Sequence, residues 1–75
     1  MKLNEKPGTY AIINKRTGMF LTGTDYRTEP WTQLTYGWQP PCLYAYESKA
    51  EDDLIDRRCG PDYEVVEVKL KVKRR

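Results

Sequence analysis

Four aromatic side chains, Tyr26, Trp31, Tyr36 and Trp38, fall within thirteen residues, and both tryptophans of the chain are among them. Tyrosine and tryptophan dominate hot spots at protein interfaces, and the same rings stack on nucleic-acid bases. With Arg27 beside Tyr26, these residues are the candidate partner-binding set. They occupy the stretch from Gly23 to Pro41, where a short turn would suffice. Long links without structure of their own are usually functional or disordered, and disorder is poor in aromatics. Residues 24–41 therefore read as an aromatic insertion loop that binds, braced by Pro30, Pro40 and Pro41 at reduced entropy cost. A chain this small also needs apolar residues for its own core, so one tryptophan is expected inside and the other exposed.

Other chemistry is sparse. Histidine is absent, which removes the side chain best suited to proton transfer at neutral pH and the commonest metal ligand. Cys42 and Cys59 form no C-x-x-C pair, and Cys59 is placed near a helix C-terminus, where the dipole opposes a thiolate. Both read as small buried hydrophobes with free thiols. Glu51, Asp52, Asp53 and Asp56 lie on adjacent turns of one helix and match no EF-hand, and the scattered glycines form no phosphate loop. No catalytic residue, metal or cofactor is expected.

A second candidate surface is basic. Five of the thirteen basic residues, Lys69, Lys71, Lys73, Arg74 and Arg75, lie in the last seven positions; the remainder holds eight basic residues against eleven acidic ones, a net of −3. Residues 69–75 thus form a basic strand end that suits an anionic partner, although charged edges also serve simply to discourage aggregation. Together with the aromatics, this end supports an alternative reading as a single-stranded nucleic-acid binder. The acidic body argues against it, since such domains usually carry a basic face.

The elements that must position these residues follow from periodicity. Thr9 to Asn14 and Met19 to Thr22 read as a hairpin turned at Asn14 and Gly18. Pro40-Pro41 forces an extended entry to a strand over Cys42 to Tyr46, with Tyr44 and Tyr46 on one face. Ser48-Lys49-Ala50-Glu51 predicts a capping box opening a helix over about 49–59, closed by Gly60-Pro61, with Ala50, Leu54, Ile55 and Cys59 as its apolar stripe. From Asp62, alternation of Val66, Val68, Leu70 and Val72 with Glu67, Lys69, Lys71 and Lys73 predicts a strand with the first set packed inward. The 75 residues form one α+β domain: a β-hairpin, the aromatic insertion, then β-α-β, giving a small antiparallel sheet with one helix on one face. The N-terminal MKLNEKPG lacks the apolar core of a signal peptide, and no run is long enough to span a bilayer, so a cytoplasmic location is expected. A homodimer stays open.

Tyr10-Ala11-Ile12-Ile13-Asn14 with Thr17-Gly18 and Leu21, Tyr44 and Tyr46 before Ser48-Lys49-Ala50-Glu51, and Tyr63-Glu64-Val65-Val66-Glu67-Val68 together resemble the small accessory proteins of bacteriophages and mobile elements, including anti-CRISPR and other anti-defence proteins. The resemblance covers most of the chain as fold grammar. It implies a non-enzymatic inhibitor that binds a host protein or ribonucleoprotein complex in the cytoplasm of a bacterial cell. It carries over no binding residues.

Overall fold

The computed structural model describes residues 6–69. The elements run β1 (Tyr10–Asn14), β2 (Gly23–Asp25), β3 (Thr32–Leu34), β4 (Leu43–Tyr44), α1 (Glu47–Asp56) and β5 (Tyr63–Glu67). β1 is the central strand of an antiparallel three-stranded sheet in the order β4-β1-β5, while β2 and β3 form a separate two-stranded hairpin. The expected α+β class, with one helix against one sheet, holds.

One edge of β1 carries β5 along its whole length, from Tyr10 opposite Glu67 to Asn14 opposite Tyr63. The other edge is shared. Its first two residues pair with β4, and its end bonds to the returning chain through the single bridge of Ile13 with Phe20 and the Leu21 amide donating to the Ile12 carbonyl at 2.8 Å. The Cys42 amide then donates to the Leu21 carbonyl at 2.9 Å, so the two partners meet end to end. This sharing leaves β4 two residues long, not the five of Cys42 to Tyr46, and reduces the first hairpin to a bridge. Its turn is as expected at Gly18, whose φ of 74° is left-handed. Asn14 contributes differently: its side-chain Oδ1 accepts from the Arg16 and Thr17 amides at 2.9 and 3.3 Å, an Asx turn.

The helix starts at Glu47, with Tyr46 as N-cap and no side-chain cap. Ser48 therefore lies inside the first turn, and the expected capping box gives way to the Tyr46 carbonyl, which accepts from the Lys49 and Ala50 amides at 3.1 and 3.2 Å. The C-terminus also differs from expectation. Arg58 takes φ of 55°, its amide donates to the Ile55 carbonyl at 3.0 Å, and the Cys59 amide donates to the Leu54 carbonyl at 3.2 Å. That pair of bonds is a Schellman motif with arginine in the usual glycine position. The reason lies in burial: a continued helix would put Cys59 one turn above Ile55, which is 70% exposed. Turning at Arg58 sends Cys59 into the core with Ile12 and Leu21.

Tyr44, Leu54, Tyr63 and Val65 pack around that cluster. Val65 stands opposite Ile12 and Val66 opposite Ala11, and directly opposed residues share a face while neighbours alternate. The helix-covered face therefore holds Tyr63 and Val65. Val66 and Val68 occupy the reverse face and are only half-buried, which corrects the expected inward set by one residue; a one-residue change of register exchanges the two faces of a strand. Leu70 and Val72 lie outside the described residues, as do Lys71, Lys73, Arg74 and Arg75.

Candidate functional site

The insertion is folded rather than a plain loop. β2 and β3 pair through Gly23 opposite Leu34, Thr24 opposite Gln33 and Asp25 opposite Thr32, leaving Tyr26 to Trp31 as the hairpin tip. Threonine at 24 and 32 suits a half-exposed strand. Among the described residues the hairpin pairs with none of the other strands, and a chain of polar contacts holds it to the body.

That chain begins at Tyr44 on β4, whose hydroxyl donates to Asp53 Oδ2 on α1. The same carboxylate oxygen accepts from Arg57 Nε at 2.7 Å. Arg57 also donates from a terminal nitrogen to Thr24 Oγ1 at 2.9 Å, and Thr24 donates to Gln33 Oε1 at 2.6 Å. Gln33 Nε2 returns to the Arg57 carbonyl at 2.6 Å, closing a ring between hairpin and helix end. Burial alone would raise the Asp53 pKa, yet Tyr44 and Arg57 overcome it and hold the carboxyl below its ordinary value. Burial likewise works against charge on Arg57, but Asp53 keeps the guanidinium protonated. For Tyr44, burial and the adjacent carboxylate both push the phenol above its ordinary range.

On this base the four predicted rings form two pairs. Tyr26 meets Trp31 edge-on, with centroids 4.7 Å apart and an interplanar angle of 79°. Arg58 joins this pair, its guanidinium carbon 4.4 Å from the Trp31 ring centroid. A cation over an indole contributes about 0.5–1 kcal/mol at an exposed site, and an aromatic pair about 0.5–1.5 kcal/mol beyond its area. Trp31 is half-buried, so the expectation of one interior tryptophan is only partly met: it is packed on the surface and takes no part in the core cluster. Tyr36 and Trp38 are stacked, 4.5 Å apart at 20°, and Trp38 is 77% exposed. Beside the stack, Met19, Phe20, Thr22, Tyr36, Gln39 and Pro41 line an open groove of about 220 Å³.

Arg27 does not join either pair. Its Nε and a terminal nitrogen donate to the two oxygens of Asp25 at 2.9 Å each, and its amide adds a bond to Oδ1 at 3.0 Å. These bonds hold the Asp25 carboxyl down at about 2. Lys69 is exposed and is the one member of the basic end inside the described residues.

Sequence reasoning missed Arg58, Met19 and Phe20. Arg58 reaches Trp31 only because the helix turns at that residue, and no local signal announces arginine in a glycine position. Met19 and Phe20 read as strand; a single bridge to β1 leaves both more than one-third exposed. Among the described residues, no group of three or more acidic or cysteine side chains is placed to hold a metal, and no helix is long and apolar enough to cross a membrane. Both thiols are free, and burial pushes that of Cys59 up to about 11. Comparison with protein-family models, characterised proteins and solved structures returns no match. The functional reading rests on the geometry of this chain.

Proposed function

We propose that this chain is a non-enzymatic binding protein that captures a host protein complex through the aromatic surface of its insertion. The observation that carries the reading is Trp38, 77% exposed and yet stacked on Tyr36. A ring in that state is ordered before any partner arrives, so little rotamer freedom remains to be lost on binding. Covering its exposed area would supply roughly 4 kcal/mol before the general costs of association. Phe20 and Met19 extend the apolar area along the groove, and the Tyr26–Trp31–Arg58 group offers a second anchor of hot-spot residue types. The likeness to phage-type anti-defence proteins points to a host defence or regulatory complex in the bacterial cytoplasm as the target.

Charge favours a protein over a nucleic acid. Outside the basic end the chain carries eleven acidic side chains against eight basic ones, a net of −3 within a chain of net +2, and the arginines beside the rings are engaged with Asp25 and Glu29. Salt separates the two classes of partner. A complex held by apolar aromatic burial should weaken less than about tenfold between 50 and 200 mM salt, whereas contacts to several phosphates would cost a hundredfold or more over that range. A steep salt slope for the captured partner would transfer the function to nucleic acid.

A further inference from the structure

The groove beside the Tyr36–Trp38 stack has walls of side chains and a backbone already in use. Its lining, from Met19, Phe20 and Thr22 across to Tyr36, Gln39 and Pro41, carries no formal charge around a volume of about 220 Å³. On the Met19 to Thr22 side, the Met19 carbonyl accepts from the Asn14 amide at 2.9 Å, the Leu21 amide and carbonyl bond to Ile12 and Cys42, and the Thr22 amide donates to the Leu34 carbonyl at 2.8 Å. The Thr22 hydroxyl is used as well, donating to the Leu34 carbonyl at 3.1 Å and accepting from the Tyr36 amide at 3.2 Å. Three polar groups stay open. Among the described residues, no hydrogen bond engages the Tyr36 hydroxyl, the Trp38 indole N–H or the Gln39 carboxamide. All three can donate, and the indole can do nothing else.

We infer that the groove receives a proline-rich segment of the partner in the polyproline II conformation, which rests on the aromatic surface being the contact face proposed above and names what it contacts. Other kinds of segment fit less well. A strand added to a sheet needs a free backbone edge, and the bonds above occupy the one on this side. A helix, about 10–12 Å across, lies in a continuous apolar trough, whereas this volume holds only a few residues. A charged segment would lose its hydration with no countercharge among the lining residues to replace it. A polyproline II segment is narrow, uncharged and apolar along its prolyl rings, which suit Phe20 and the stacked pair. Its carbonyls make no hydrogen bonds within the segment, so they are free to accept from Tyr36, Trp38 and Gln39. Both sides are ordered before they meet, which keeps the entropy cost of binding low.

Titration of the isotope-labelled full chain with a blocked decaproline peptide, followed by nuclear magnetic resonance, tests this. The Trp38 indole and Gln39 side-chain amide signals should shift together and saturably with a Kd below about 1 mM, and a glycine-serine peptide of equal length should leave them in place. Trp38→Ala and Phe20→Ala should each weaken binding by about fivefold or more. Trp38 is 77% exposed, so its variant stays folded and decides the matter even if Phe20→Ala unfolds. Excess decaproline should also release the complex captured from a lysate by the wild type. No saturable shift, an equal response to the glycine-serine peptide, or binding indifferent to Trp38→Ala would overturn the inference. If decaproline fails to bind while lysate capture still depends on Trp38, the proline-rich occupant falls and the contact face stands; if that dependence is missing too, both fall.

Discussion

Arg58 occupies the position that helices most often give to glycine, at φ of 55°. Its side chain is what the position gains. The left-handed conformation costs a residue with a Cβ roughly 1 kcal/mol, close to what the contact with Trp31 returns. Two replacements separate these terms. Arg58→Gly relieves the backbone and loses the contact, so its stability should lie within about 1 kcal/mol of wild type; Arg58→Ala keeps the backbone cost and loses the contact, and should be the less stable of the two by about 1 kcal/mol. Urea unfolding of the pair measures the difference directly. Equal midpoints would remove the backbone cost from the account. None of this was legible in the sequence, where Arg57 and Arg58 look interchangeable: one belongs to the polar ring under the hairpin and the other to the aromatic tip, a division made by a single turn of backbone.

At the scale of elements, the hairpin of the insertion is attached to the sheet-and-helix body through Asp53, Arg57, Thr24 and Gln33. Asp53→Asn removes the charge that orients Arg57 and should cost about 1–3 kcal/mol, as for other partly buried charge-assisted bonds. Hydrogen exchange should quicken in β2 and β3 more than in β1. Unchanged exchange there would show that the hairpin does not depend on the ring. Because folding lowers the Asp53 pKa, the stability it adds is present above the unfolded value of about 3.9 and is lost as pH falls through the folded one. Asp53→Asn should therefore flatten the acid limb of the stability profile. The order of elements could be read from turn residues and periodicity, as could the helix-on-sheet class. Their ends could not: β4 is cut short by competition for one edge of β1, the helix ends where Cys59 must turn inward, and the face of β5 is set by its register with β1. The hairpin inside the insertion was hidden because Thr24, Asp25, Thr32 and Gln33 are polar and too few to show a period.

For the whole molecule, the titrating groups enclose a window of greatest stability. Cys59 and Tyr44 have raised pKa values in the fold, so the stability they contribute is present below their unfolded values of about 8.5 and 10 and is lost as pH rises past them; Asp53 acts in the opposite sense on the acid side. Thermal melts should show a plateau from about pH 5 to 8 and a decline beyond about pH 9. Replacing Cys59 with alanine would lower the plateau through lost packing and make the alkaline decline shallower. A decline equally steep in that variant would assign it to other groups. On this frame, the proposed function rests on a surface whose most exposed ring, Trp38 at 77%, contributes little to folding. The direct test compares the wild-type chain with Trp38→Ala as baits in a nuclease-treated bacterial lysate, with unfolding midpoints measured in parallel. The expected result is unfolding free energies within about 1 kcal/mol of each other and a protein complex retained by the wild type alone. Equal capture by both folded baits would contradict it.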